Sequence, residues 1–230
     1  MREFSLLEKK LNLNFKNKKL LTQAFVHRSF LNENPDFKIG NNERLEFLGD
    51  AVLELVVTEY LYQKYPKKSE GELTNWRAAL VNADSLAKIA ERIGLNNFLL
   101  LSKGESKEMN KARRYILANT IEAFIGALYL DLGYKASQEF IKKQVIKELP
   151  QIIKSGSYKD SKSHFQEKAQ EKTTVTPTYK ILEEWGPDHA KHFKVGVFLK
   201  EGLIAEGEGS SKQEAEVKAA EKALKIKDWL

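Results

Sequence analysis

The 230-residue sequence contains no cysteine. Disulfides, thiolate metal ligands and thiol nucleophiles are therefore excluded, and a reducing compartment, the cytoplasm, is the expected home. Proline is scarce at 5 residues. Pro35, Pro66, Pro150 and Pro187 fall where the periodic pattern breaks, as loop or element-end markers. No apolar run approaches the roughly 20 residues that span a bilayer. The first ten residues lack the apolar core of a signal peptide and read as an amphipathic helix, so no membrane partner is expected. Internal repeats and low-complexity tracts are absent as well. What remains is 42% apolar and 30% charged, enough for a packed core in one large domain or two smaller ones.

The net charge of +6 is unevenly spread. From Asp160 to the end there are 12 Lys against 13 Asp and Glu, a net of −1, so the first 159 residues carry +7. A nucleic-acid partner is compatible with this balance, but the C-terminal part must bind through a local patch rather than a global field.

The most informative stretch runs from Asn42 to Leu53. Asn42 is expected to cap a helix reaching about Leu61, with Glu43 and Glu46 in its first turn. Leu45, Leu48, Val52, Leu55 and Val56 have the spacing of a buried stripe. Glu43, Glu46 and Asp50 align on a neighbouring face. Such a row is either a solvated helix face or a set of ligands for a hard cation or a proton. Gly49 favours the second reading, because a helix-interior glycine costs about 1 kcal/mol against alanine and implies a close approach beside Asp50.

A second stretch, Tyr115 to Asp131, is apolar nearly all round and reads as a central helix. Ala123, Gly126 and Ala127 allow another backbone to come near. Glu122 is the lone carboxylate in mid-run, with Asn119 one turn before it and no Lys or Arg one turn away. A buried acid needs a cation, a proton or donors.

Around these stretches lie further helices. Leu6, Leu7 and Leu11 mark the first, and Asn17 caps the second. His27-Arg-Ser29 closes that segment. With no second histidine nearby to complete a metal site, His27 reads as structural or as facing a nucleic-acid partner. Residues 32–42 read as a loop. Ser69 and Glu72 form a capping box, and Asp84 is expected to cap the next helix, which Gly94 stops. Residues 103–114, with Lys103, Lys107, Lys111, Arg113 and Arg114, read as a basic surface loop leading into a helix. Lys135 to Leu149 reads as a basic helix ended by Pro150, and residues 151–159 as a linker. Beyond them the order is helix, three alternating strands and helix. The final helix starts at Ser210 or Ser211 and carries Lys212 in its first turn, where backbone N–H groups suit a phosphate.

Asn42-Glu-Arg-Leu-Glu-Phe-Leu-Gly-Asp-Ala-Val-Leu53 resembles the signature of the ribonuclease III family along its whole length. Gly207-Glu-Gly-Ser-Ser-Lys-Gln-Glu-Ala-Glu216, the αβββα order and the Gly-Pro-Asp-His loop resemble the double-stranded-RNA-binding domain. The resemblance implies an all-α N-terminal endonuclease domain over residues 3–150 and a small α+β (αβββα) double-stranded-RNA-binding domain over 160–227. It implies a homodimer that hydrolyses double-stranded RNA with Mg²⁺, Mn²⁺ being a substitute, and leaves 5′-phosphate and 3′-hydroxyl ends in the processing of ribosomal and other RNA precursors. By motif position, Asp50 and Glu122 are catalytic. Glu46, Asn119 and Glu122 are metal ligands with Asp50 beside them, and Glu43 and Glu70 are supporting acids. Phe47 enters the partner subunit. Gln166, Glu167 and His189 meet minor grooves, and Ser211 and Lys212 meet phosphates.

Two departures stand out. Asn119 replaces the Asp usual in the family, which removes a negative charge and predicts weaker Mg²⁺ binding. Gln213 replaces a usual basic residue, which predicts a shallower salt dependence. A catalytically weakened or silent RNA-binding protein is the alternative, and a helical metal-dependent hydrolase of nucleotides is a third class.

Overall fold

A computed structural model describes residues 4–107, 111–156, 161–187 and 190–229. They fall into two compact units, 1–158 and 159–230. The first is helical: α1 (Ser5–Leu11), α2 (Lys18–Gln23), α3 (Arg28–Glu33), α4 (Glu43–Lys64), α5 (Glu70–Val81), α6 (Ala83–Ile93), α7 (Lys103–Lys107), α8 (Lys111–Gln144) and α9 (Leu149–Ser155). The second comprises α10 (Ser161–Thr173), β1 (Thr178–Trp185), β2 (His192–Leu199), β3 (Gly202–Gly209) and α11 (Lys212–Ile226), with an antiparallel sheet in the order β1-β2-β3.

In the first unit α4 crosses α8 and α6 packs on α8. The apolar faces of these helices interlock around Leu53, Val56, Val57, Leu117, Ile121, Phe124 and Leu128, all sealed from solvent. Ala123 and Ala127 are buried as their small size suggested. The helical run Ala112–Ser155 holds a stretch with the length and composition of a membrane span, contrary to the expectation that no apolar run is long enough; that stretch is mostly buried inside the unit.

Local signals decided several element ends. Asn17 accepts from the N–H groups of Lys19 and Leu20, and Ser69 and Glu72 form the expected reciprocal capping box. Other expectations are corrected. Asn42 occupies the cap position of α4 but does not cap with its side chain; its buried amide donates to the Ala24 carbonyl. The cap of α6 is Asn82, which accepts from Ser85 N–H, and Asp84 lies inside the first turn. His27 begins a short helix rather than ending one. Leu55, counted in the buried stripe of α4, is exposed, and the buried side of that helix includes Leu53, Val57 and Leu61 instead.

The central and basic helices are joined as α8, kinked at Gly133, where φ is +82°. Tyr115 and Leu130 on it are exposed. Pro150 opens α9 instead of closing a helix, because the first turn needs no N–H from it. Residues 151–155 are therefore helical and pack near α5, although they were expected in the linker. Gly156 caps that helix, and the rest of the expected linker, 157–159, lies outside the described residues.

In the second unit α10 and α11 cover one face of the sheet. Phe165, Val197, Ala205, Ala219, Ala220, Ala223 and Leu224 form its core. Gly207 is required there: a Cβ on it would lie 2.2 Å from the Ala215 carbonyl oxygen, so α11 presses directly on β3.

Candidate active site

The acid row is assembled by two glycines. A Cβ at Gly49 would lie 1.8 Å from the Glu122 carbonyl oxygen, and one at Gly126 would lie 2.1 Å from that of Leu45. The backbones of α4 and α8 therefore touch at this crossing. The contact puts Glu46 and Asp50, which flank Gly49 on α4, against Glu122 on α8. The approach inferred from Gly49 alone is thus met by Glu122 itself.

Electrostatics follow from that crowding. Burial, followed by the charges of Asp50 and Glu46, pushes the Glu122 carboxyl up to about 8. Glu46 is also raised, first by burial and then by Glu43, while a hydrogen bond from the Asn119 side chain opposes the shift. Among the described residues none of Glu46, Asp50 and Glu122 joins an ion pair. The site is therefore short of positive charge, and protons or a cation must supply it.

The donors are all oxygens: carboxylates and the amide carbonyl of Asn119. That set suits a hard divalent ion. Among the described residues no three His, Asp or Glu side chains stand close enough together to hold a metal ion by themselves, so an ion bound here would keep several of its waters.

Glu43 and Glu70 sit differently. Glu43 lies at the outer end of the row, where one oxygen accepts from the Asn41 amide (3.0 Å) and the other faces Arg28 Nη1 at 3.8 Å. Neither Arg28 nor Asn41 stood out in the sequence as a site residue, although Arg28 lies within His27-Arg-Ser29. His27 caps α3 through Nδ1, which also meets Ser29 Oγ at 2.8 Å. Burial lowers its pKa, in keeping with a structural role.

Glu70 is not brought to the row within this chain. It lines an open cavity of ≈ 670 Å³ at the other end of α4, together with Leu61, Tyr62, Tyr65, Pro66 and Leu73. Tyr62 lies about 18 Å along the helix axis from Asp50 at 1.5 Å per residue. Phe47, beside Glu46, is 82% exposed.

On the second unit, Gln166 and Glu167 are exposed on α10 and line a shallow depression with Ser163, Gln170 and Glu171. Ser211 caps α11 by accepting from Glu214 N–H. Lys212 is exposed, its Nζ 5.8 Å from the centroid of the Phe193 ring. His189 lies outside the described residues.

Comparison with known proteins matches both units. The family model described as Ribonuclease-III-like matches residues 17–149, and the Double-stranded RNA binding motif matches 161–227. A protein named Ribonuclease 3 from Borreliella burgdorferi is 46% identical over 94% of this chain and 87% of its own length. Its namesake from Syntrophomonas wolfei is 49% identical over 92% and 90%. Among solved structures, the nuclease domain of Campylobacter jejuni ribonuclease III, described for flexibility in a region involved in dimer formation, aligns with a TM-score of 0.58. It is 44% identical, covering 64% of this chain and 99% of that one.

Proposed function

The chain belongs to the ribonuclease III family, and on that premise we propose how its two units divide the work of a double-strand-specific endoribonuclease. The helical unit hydrolyses phosphodiester bonds of duplex RNA, and the αβββα unit holds the duplex. The single observation that carries this reading is the Gly49–Gly126 crossing, which packs Glu46, Asp50 and Glu122 together without a paired cation among the described residues.

The activity is metal-dependent, and Mg²⁺, with Mn²⁺ as a substitute, is the ion proposed. When bound it would neutralise charge on the phosphoryl oxygens and lower the pKa of an attacking water. Glu46, Asp50, Glu122 and the Asn119 carbonyl would hold it. Without a metal ion Glu122 carries a proton near neutrality, which it would have to give up to solvent in order to hold one. Asp50, exposed at the rim, would take a proton from the attacking water, and the leaving 3′ oxygen would take one from solvent. The products are a 5′-phosphate and a 3′-hydroxyl.

A homodimer fits two features separated along α4. The exposed Phe47 of one protomer fills the cavity around Leu61, Tyr65 and Leu73 of the other. Because Glu70 lines that cavity and Phe47 adjoins Glu46, this docking brings Glu70 beside the partner's acid row, as a supporting acid. On the second unit, Gln166, Glu167 and His189 read minor grooves, while Ser211 and Lys212 hold phosphates. The setting is the cytoplasm, with ribosomal and messenger precursors as substrates.

The test is cleavage of a long perfect RNA duplex over a Mg²⁺ titration, with this chain, Asn119→Asp and Glu122→Gln. Cleavage by this chain, at less Mg²⁺ for Asn119→Asp and absent for Glu122→Gln, supports the reading. Cleavage by Asn119→Asp alone would make this chain a duplex binder with a disarmed site. Silence from every protein while duplex RNA still binds would refute the nuclease.

A further inference from the structure

A phosphodiester approaching Glu46, Asp50 and Glu122 meets negative charge, so cations other than a bound metal ion must help to hold the strand in place. Arg28 is placed for this. The segment just before it is pinned to Leu100 and to the start of α4: His27 N–H donates to the Leu100 carbonyl (3.0 Å), Leu100 N–H to that of Phe25 (2.8 Å) and Asn42 N–H to that of Val26 (2.9 Å). The guanidinium stands beside Glu43, one helical turn beyond Glu46, or roughly 5–6 Å between neighbouring Cβ atoms.

The Arg28–Glu43 pair is not built for stability. It is 3.8 Å long, and the two side chains are 74% and 54% exposed. Exposed pairs of that length add little to folding. The second Glu43 oxygen is fixed by the Asn41 amide, so Glu43 acts as a tether that leaves most of the guanidinium donors facing water. A guanidinium matches a phosphate in two-pronged hydrogen bonding, which a lysine does not.

We propose that Arg28 binds a backbone phosphate flanking the scissile one on the strand being cut, and that Glu43 positions Arg28 rather than binding metal. This rests on the nuclease reading above. It assigns the outer end of the row to substrate placement and leaves Glu46, Asp50 and Glu122 to the ion.

The experiment compares the full chain with Arg28→Ala, Arg28→Lys, Glu43→Gln and the Arg28→Ala/Glu43→Gln double variant. Four quantities are read: KM on duplex RNA, the slope of log Kd against log salt for duplex RNA in EDTA, the half-saturating Mg²⁺ concentration, and thermal unfolding. Arg28→Ala is expected to raise KM about tenfold and to make the salt slope shallower by about one, with Mg²⁺ requirement and unfolding unchanged. Arg28→Lys should keep the slope and raise KM less than Arg28→Ala does. Glu43→Gln should keep the slope and the Mg²⁺ requirement, raise KM less, and add nothing on top of Arg28→Ala. If the parent chain cleaves and Arg28→Ala alters neither slope nor KM, the Arg28 assignment is overturned. A higher Mg²⁺ requirement in Glu43→Gln overturns the tether and makes Glu43 a ligand. A parent chain that neither binds nor cuts duplex RNA overturns the nuclease reading itself.

Discussion

Replacing Glu122 by Gln should make the metal-free protein more stable at alkaline pH. The Glu122 carboxyl is pushed from 4.5 to about 8 by burial and by its two acidic neighbours. This is a raised acid, so the folded state keeps a proton that the unfolded chain has already lost between those two values. Stability therefore falls as pH rises through that window and levels off above about 8. If the whole shift were expressed, the cost would be about 5 kcal/mol. The carboxyl is not fully sealed, and water screening reduces the expected cost to about 2 kcal/mol. For a unit of this size that corresponds to about 4–8 °C in Tm. The assay is thermal unfolding of both proteins in EDTA from pH 5 to 9. The two should coincide near pH 5, and Glu122→Gln should unfold higher at pH 8.5. Added Mg²⁺ should raise the Tm of the parent at pH 8.5 and leave the variant nearly unmoved. A difference between the proteins that stays constant across the range would show that Glu122 stores no unfavourable charge, and the account of the site would fail with it.

Three further outcomes follow from the contacts. Gly49→Ala drives a methyl to 1.8 Å from the Glu122 carbonyl oxygen and should cost more than about 3 kcal/mol in denaturant unfolding. Gly71→Ala, with open space around it on α5, should be neutral or stabilising by up to about 1 kcal/mol; equal effects at the two sites would refute the close crossing. Phe47→Ala should weaken the dimer about a thousandfold by sedimentation, from two plugs at about 2 kcal/mol each, and unchanged association would remove the plug. Lys212→Ala should make the salt slope of duplex RNA binding shallower by about one; an unchanged slope would take α11 out of the phosphate contacts.

The sequence conveyed faces and left juxtapositions open. Glu43, Glu46 and Asp50 could be aligned because they share one helix and one periodicity. Gly49 announced an approach, and Gly126 together with Ala123 announced a small-residue face. The strands of the second unit were legible for the same local reason, since alternation over Phe193, Val195 and Val197 needs no knowledge of the rest of the chain. Arg28 beside Glu43, and Glu70 far from Glu46, were not legible, because those relations depend on how the segment before α4 folds back and on how long α4 runs. Asn42 misled in the opposite sense. Its residue type suits a cap, yet burial against the Ala24 carbonyl turned its amide to a tertiary bond.

Leu55 shows the limit most clearly. An apolar residue at helical spacing was assigned to the core, but it is 57% exposed. Along α4 the exposed side also carries Phe47 and Tyr62, while Leu45, Val52, Leu53, Val56, Val57 and Leu61 are buried. The helix is therefore apolar on more than one side, and periodicity alone cannot say which side faces the protein's own core. A soluble chain seldom leaves such an apolar side to water without use. The same ambiguity that defeated the stripe is thus the physical argument for a partner on α4. On the function proposed above, that partner would lie against the helix that carries Glu46 and Asp50, and assembly and chemistry would share one element.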